Sequence, residues 1–590
     1  MHGTQQSESN SDGRPWWNSS EMWGRGMMND FKRTVGTHWK AEMTNLNQKT
    51  VAVSFFLFFA AITPAITFGG VSQKSTASRM GPVELILATA WTGIYYAIVG
   101  GQPIILNGGT GPMLTIQTVM FKFAETIGVN FLTFNAWIGI WVVIYMYVGA
   151  LLDSNRVITY ATRFTDEIFA FMIALIFIID ALGKPMSKSV GVFHYFNPDH
   201  PSHAKFGDSE TYCVTAVGLL SVILTFGTTG LAFFLRTVKQ SPYLCNQFIR
   251  STITDFGVFL SVITWCVLDN ILFEDTPTER LNVPNNFAPT MLCCTSSCDT
   301  LFPNECPDVT EPWGRRPWLV NIFNLNGKSW VLMAAAGPAF LAFLMVSLDN
   351  GVTWHLLYHS SHKVMHGPAY NYDSLVSGVS ICINSLLGLP WVVGSTTPSV
   401  NHLHALSEKT AGGKIASVQE TRLTGLFIHS LVTASIFALP LLKLVPIPVL
   451  YGVFLFMGIV SLGTNQFYHR IKILFMQPSK YPKEPYVEEM AHKRMHLYTI
   501  IQLAILVTMW VVKDIKIITI IFPVVIVSCV PIRLYLLPKI FTSDQLVFLD
   551  SDEDMIAAIR AIRGFAAPND FDKDKQKDLE LEATVVAVEK

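Results

Sequence analysis

Long apolar stretches alternate with short polar ones over most of the chain. Runs such as "VAVSFFLFFAAITPAITFGG" (51–70) and "YCVTAVGLLSVILTFGTTGLAFFL" (212–235) have the length that crosses a bilayer as a helix. Spans are predicted near 50–70, 83–100, 108–127, 134–152, 166–183, 212–236 and 252–273. They resume near 329–358, 373–391, 395–408, 421–440, 446–463, 496–512 and 516–536. Seven spans, a polar break and seven more predict an all-α polytopic membrane protein with fourteen transmembrane segments. An odd number per half turns the second half over, which gives a 7+7 inverted repeat. The expected organisation is a tail (1–49), a first repeat (50–273), a Cys-containing loop (274–328), a second repeat (329–537) and a C-terminal tail (538–590).

Two spans break the pattern, at corresponding places in the halves. The third is preceded by "NGGTGP" (107–112) and the tenth by "LPWVVGSTTPS" (389–399). Glycine and proline are poor helix-interior residues, and unpaired backbone is costly in lipid. Interrupted segments in matching positions of two halves point to a transporter site between inverted repeats. A surface turn explains the glycines equally well on local grounds.

Composition supports the membrane assignment: 50% of residues are hydrophobic and 14% charged, with a mean hydropathy of +0.38. Soluble domains carry nearer a quarter charged residues. A net charge of −1 gives no sign of nucleic-acid binding. There is no phosphate-binding G-x-x-x-x-G-K-[ST] loop and no hydrolytic triad, so neither an enzyme nor an ATP-driven pump is expected. The polar N-terminal stretch contains no cleavable signal peptide. Within it, "RPWWNSSEMWGRGMMNDFKR" (14–33) reads either as an interfacial helix or as a disordered tail.

Basic residues set the orientation. With the N-terminus inside, the cytoplasmic connections carry Arg156, Arg163, Arg236, Lys239, Arg250, Lys363, Lys409, Lys414, Arg422 and the run Arg470–Arg494, as the positive-inside rule requires. Both tails are then cytoplasmic, and the charged C-terminal one is expected to be mostly disordered, with a short helix near 553–563. The loop 274–328 lies outside. It holds Cys293, Cys294, Cys298 and Cys306, disulfide candidates in an oxidising compartment; their spacing matches no zinc pattern.

Ionisable residues inside spans are functional candidates. Asp349, in "FLMVSLDNGVTWHLLY" (343–358), lies within a run too long for one untilted crossing. Thr353 follows one helical turn later on the same face. Together they offer oxygen ligands to Na⁺, or a protonatable pair. Asp180, Asp255 and Asp269 lie near span ends and read as satisfied boundary residues, and His355, His359 and His362 as a solvated helix side. If the third and tenth helices start at their breaks, two positive helix ends face each other and form an anion site. Thr110 and Gly111 on one, and Ser395 and Thr396 on the other, supply the donors. A carboxylate beside that anion has to be protonated or hold a cation, so the residues suggest an anion carried with Na⁺ or H⁺.

At these residues the chain resembles a known family. "GGQPIILNGGTGPMLTIQTVMFKFAE", "LLGLPWVVGSTTPSVNHLHAL" (386–406), "QETRLTGLF" (419–427) and "PVLYGVFLFMGIVSLGTNQFYHRIK" (448–472) are similar to segments of the bicarbonate transporters, the anion exchangers and sodium-bicarbonate cotransporters. So is "WIGIWVVIYMYVGALLDSNRVITYATRFTDEIFAFMIALIFIIDA" (137–181). The match is collinear over roughly 50–550. The resemblance implies a homodimer whose protomers each move a core (spans 1–4 and 8–11) against a gate (5–7 and 12–14). Sodium-coupled members resemble this chain in pairing an Asp, here Asp349, with a Thr four residues on, here Thr353; chloride/bicarbonate exchangers typically carry Glu. Where exchangers usually place an anion-holding Arg, this chain has Pro398, which matches neither branch. Where animal members carry a large N-terminal cytoplasmic domain, 49 residues precede the first expected span of this sequence.

The reading is a plasma-membrane secondary transporter of bicarbonate or carbonate, Na⁺-coupled, working by an elevator-like motion and needing no cofactor. Asp349 and Thr353 would hold Na⁺, and Thr110, Gly111, Ser395 and Thr396 the anion. The alternatives are a Na⁺-independent Cl⁻/HCO₃⁻ exchanger or borate exporter and, from another class, an anion channel.

Overall fold

In the computed structural model the described residues are 23–155, 163–183, 191–196, 210–238, much of 250–293, and 314–550 apart from short gaps. The candidates Cys294, Cys298 and Cys306, the residues Asp255 and His359, and the expected short helix near 553–563 lie outside them. Of Cys293 only the backbone is described, paired with Gly314.

All fourteen predicted segments are helical. The first half contains α3 (Gln48–Ser75), α4 (Pro82–Val99), α5 (Gly111–Ile127), α6 (Phe131–Leu151), α7 (Arg163–Leu182), α8 (Glu210–Thr237) and α9 (Gly257–Leu272). The second contains α10 (Ala336–Leu357), α11 (Tyr370–Leu386), α12 (Thr396–Leu406), α13 (Arg422–Ala434), α14 (Ile447–Thr464), α15 (Gln466–Leu474), α16 (His492–Asp514) and α17 (Phe522–Pro531). Helices α14 and α15 meet at a bend of 73°, and Asn465 caps α15 by accepting from Tyr468 N. Seven described helices are long and apolar enough to cross a membrane alone. The two broken segments, α5 and α12, are not among them. Because α10 ends at Leu357, His355 does not share a helix side with His362.

Packing sorts the helices into two groups. Helices α3–α6 pack with α10–α13, and α7–α9 pack with α14–α17. Small residues let the backbones approach, as between membrane helices generally. A Cβ on Gly139 of α6 would lie 2.1 Å from Ser385 Oγ of α11, and one on Gly458 of α14 would lie 2.9 Å from the Ala174 carbonyl of α7. Indole and phenol groups tie α6 to the start of α10: Trp141 Nε1 donates to Leu332 O (2.9 Å) and Tyr145 Oη to Ala336 O (3.1 Å).

The stretch before the first span is not a loose tail in its described part. Helices α1 (Arg25–Arg33) and α2 (Val35–Thr44) dock on the first group of helices. Asp30 accepts from Asn371 N at 3.1 Å, and Trp39 Nε1 donates to Ile98 O at 2.8 Å. Arg422, fully buried, donates to Glu42 Oε2 at 2.6 Å. Arg422, which the sequence counts among the basic residues of the cytoplasmic connections, is held by Glu42 reaching it from α2. His366 Nδ1 lies 2.6 Å from Glu420 Oε2 and 3.4 Å from Glu42 Oε1, with the tilted His38 ring centred 4.0 Å away.

Burial raises the proton affinity of several groups in this dock. Burial pushes Asp30 up to about 7, against the pull of Arg33, with Asp373 adding to the rise. Burial also raises Glu42, although Arg422 and His366 oppose it. Burial works against a charged His366, but the Glu420 and Glu42 carboxylates outweigh it and raise the imidazole. His38 is shifted down by burial and by His366 and works the other way. For each raised group the folded pKa exceeds the unfolded one, so its stabilisation is present at low pH and fades as pH climbs through the folded value. Hydrogen-exchange protection of residues 25–44, corrected for the intrinsic pH dependence of exchange, is expected to fall by about tenfold between pH 6 and 8.5, on the order of one pKa unit of linkage. Constant protection would contradict it.

Candidate functional site

The two broken segments meet. Each is entered by a two-residue strand, β1 (Asn107–Gly108) and β2 (Val393–Gly394), and these pair antiparallel with Asn107 opposite Gly394 and Gly108 opposite Val393. Ser395 N donates to Leu106 O at 2.8 Å, and Leu106 N donates to Ser399 Oγ at 3.0 Å. The exposed backbone that lipid would penalise is thus satisfied across the repeat boundary, which decides against a surface turn.

Helices α5 and α12 start directly after the strands, with extended N-cap residues Thr110 and Ser395. Neither hydroxyl caps its own helix. Proline in each first turn, Pro112 and Pro398, removes an N–H that would otherwise need an acceptor. The remaining first-turn amides and the positive dipole end favour an anion. The glycines serve close approach rather than an unusual dihedral. A Cβ on Gly111 would lie 2.5 Å from Phe177 Cζ, and one on Gly109 would lie 3.0 Å from Leu85.

Helix α10 crosses beside both starts and touches each. Thr110 Oγ1 donates to Asp349 Oδ2 at 2.5 Å. One turn on, Thr353 Oγ1 donates to Gly394 O at 2.8 Å and lies 2.8 Å from Thr396 Oγ1. Asp349 is 6% exposed, Ser395 7% and Thr353 not at all. The predicted residues therefore converge, but not in the predicted pairing: the carboxylate belongs to the start of α5 and the Thr353 hydroxyl to the start of α12. Among the described residues, no three His, Cys, Asp or Glu side chains gather where they could hold a metal ion. Asp269 is paired at its span end through one oxygen, Oδ2, which accepts from Thr278 Oγ1 (3.0 Å) and lies 3.4 Å from Arg280.

Two layers of side chains follow one another along α3 next to this site. Phe68 of α3, Phe177 of α7 and Phe454 of α14 form a ring trio with centroids 5.3–5.7 Å apart. Beyond it, Lys74 at the end of α3 donates to Glu279 Oε2 (2.6 Å) and to Tyr451 Oη of α14 (3.2 Å). Tyr195 Oη donates to the same Glu279 oxygen at 2.6 Å. Both layers join the two helix groups. Sequence reasoning missed this cluster, and also Asn350, which accepts from Gly394 N.

The family model described as "HCO3- transporter integral membrane domain" matches residues 21–206 and 201–554. Anion exchange protein 3 of Danio rerio is 33% identical over 552 residues, covering 90% of this chain and 44% of that protein. Band 3 anion transport protein of Homo sapiens is 32% identical over 554 residues, covering 91% of this chain and 57% of that one. The chain thus spans about half the length of these relatives. Among solved structures, murine Solute Carrier 26 family member A9, titled an anion transporter in the inward-facing state, aligns with a TM-score of 0.50 at 10% identity, covering 90% of this chain and 74% of that one. A second structure of SLC26A9 gives a TM-score of 0.51 at 11% identity, covering 85% of this chain and 68% of that one. At such identity the likeness speaks for the fold, the 7+7 inverted repeat. The residues that pair the two broken helices lie inside the matched ranges, and the chain is a multi-pass membrane protein that belongs to the bicarbonate-transporter family.

Proposed function

We propose that the protein is a secondary transporter that exchanges bicarbonate, or a closely related inorganic anion, for another anion without requiring Na⁺. The observation that carries this reading is the joint hold of α10 on both helix starts, through Asp349–Thr110 and Thr353–Thr396. It gathers two positive helix ends and one carboxylate at a single buried place. The relatives at 32–33% identity are named for anion exchange or anion transport, which favours the exchanger over the Na⁺-coupled branch.

The second reading, Na⁺-coupled bicarbonate or carbonate transport, is favoured by the Asp349/Thr353 spacing and by Pro398 in the place where exchangers usually carry Arg. In either reading the two helix groups act as core and gate and slide past each other, the protein works as a homodimer in the plasma membrane, and both termini face the cytoplasm.

Uptake of labelled inorganic carbon into cells expressing the protein, with and without external Na⁺ and with or without internal chloride, separates the readings. Exchange predicts uptake indifferent to Na⁺ and stimulated by chloride on the opposite side. Strict Na⁺ dependence would replace it with the coupled reading. A chloride- and carbon-independent borate flux would favour the exporter, and a conductance without countertransport the channel.

A further inference from the structure

The grip of α10 on β2 has two jaws. Asn350, one residue past Asp349, accepts from Gly394 N through Oδ1 at 3.0 Å, while Thr353 donates to the carbonyl of the same Gly394 at 2.8 Å. The residue that leads into α12 is therefore held at both its N–H and its C=O by one helix. Room beside Gly394 is tight toward Ile105 and ordinary toward α10. A Cβ on Gly394 would lie 3.1 Å from Ile105 Cγ2, 3.4 Å from Asn350 Oδ1 and 3.5 Å from Thr353 Cγ2. Asn350 is 1% exposed, and its Nδ2 meets no acceptor among the described residues. Burying an unpaired amide donor is unfavourable, so the fold keeps this side chain for the one bond it makes to Gly394.

We infer that Asn350 is a positioning residue for the transported anion: it fixes the Gly394 peptide, and through it the first amides of α12, in register with Asp349. The inference rests on the anion-transport reading above. Its logic is geometric. The free donors at the start of α12 lie two and three residues beyond Gly394, and no side chain caps that helix start. The Leu106 bond to Ser395 N and the two α10 jaws therefore set where those donors point. Asp349 and Asn350 are consecutive on one rigid helix, so a change of charge at Asp349 that shifts α10 shifts Gly394 with it. The carboxylate site and the far anion-binding end are thereby linked without touching.

The test is Asn350→Ala, with two readouts: the bicarbonate dependence of flux in cells, and the bicarbonate dependence of thermal protection of the purified full chain. Displaced donors bind less well, and misplacements on the order of 1 Å cost up to about a hundredfold. The expected result is a half-saturating bicarbonate concentration raised by about tenfold in both assays, with maximal rate and surface amount little changed. Gly394→Ala, which leaves Asn350 in place but presses the residue it holds against Ile105, is expected to raise the same half-saturation and serves if Asn350→Ala is not delivered to the surface. An unchanged half-saturation with a lowered maximal rate, or with a lowered melting temperature alone, assigns Asn350 a merely structural role and overturns the inference. Absence of bicarbonate-dependent flux and protection in the wild-type protein would instead remove the transport reading itself.

Discussion

Asp349→Asn is expected to reach the cell surface and to lose bicarbonate-driven flux by at least about tenfold, measured as the rate of intracellular pH recovery after an acid load. Asparagine keeps the side-chain volume and still accepts from Thr110, so the start of α5 stays in place. What disappears is a charge that can come and go. Two unit charges about 5 Å apart at an effective dielectric constant of about 20 interact by roughly 3 kcal/mol, about a hundredfold in affinity. A carboxylate that is neutralised while the anion sits at the helix ends, and charged when it leaves, helps release the anion. An amide fixed in the neutral state lacks that push, so turnover falls while binding does not. Asp349→Asn with wild-type flux would show that the carboxylate takes no part in carrying the anion.

The second large effect concerns the contact between the helix groups at the end of α3. Lys74 belongs to one group and Glu279, Tyr195 and Tyr451 pack with the other, with the phenylalanine trio beneath. If the groups slide past each other, this cluster has to open in every cycle. Lys74→Cys combined with Glu279→Cys, bridged by a short bifunctional thiosulfonate, is expected to bring transport to background, and reduction to restore it. The single-cysteine variants should keep their transport in the same reagent, which controls for the native cysteines of the loop. Undiminished transport by verified cross-linked protein would rule out a motion that parts these helices.

How much of this was legible in the sequence follows from the range of each interaction. The spans were readable because a run of apolar residues declares itself locally, and all fourteen segments formed helices. The breaks before α5 and α12 were readable for the same reason, since Gly108, Gly109, Gly111, Pro112 and Pro398 punctuate the chain where they stand. Asp349 stood out as a charge in an apolar run. Its partner did not: the sequence joined it to Thr353 by helical spacing, whereas the fold gives its carboxylate to Thr110, 239 residues away. The ion pairs Lys74–Glu279, 205 residues apart, and Arg422–Glu42, 380 residues apart, have no local signature. Nor does Asn350, whose amide is ordinary until Gly394 lies beside it. The docking of α1 and α2 was hidden for a related reason, because their partners Asn371, Ile98 and Arg422 come from three different segments.

The pairing of β1 with β2 also bears on how the protein is made. Leu106 and Ser399, which close that junction, are 293 residues apart. At synthesis rates of roughly 5–20 residues per second, the first half waits on the order of 15–60 s for its counterpart to emerge. During that interval the polar backbone entering α5 has no strand to bind, in a solvent that punishes unpaired amides. The first repeat is therefore an unfinished object at the translocon, and a chain truncated after its seventh span is expected to be a substrate for membrane quality control rather than half a transporter.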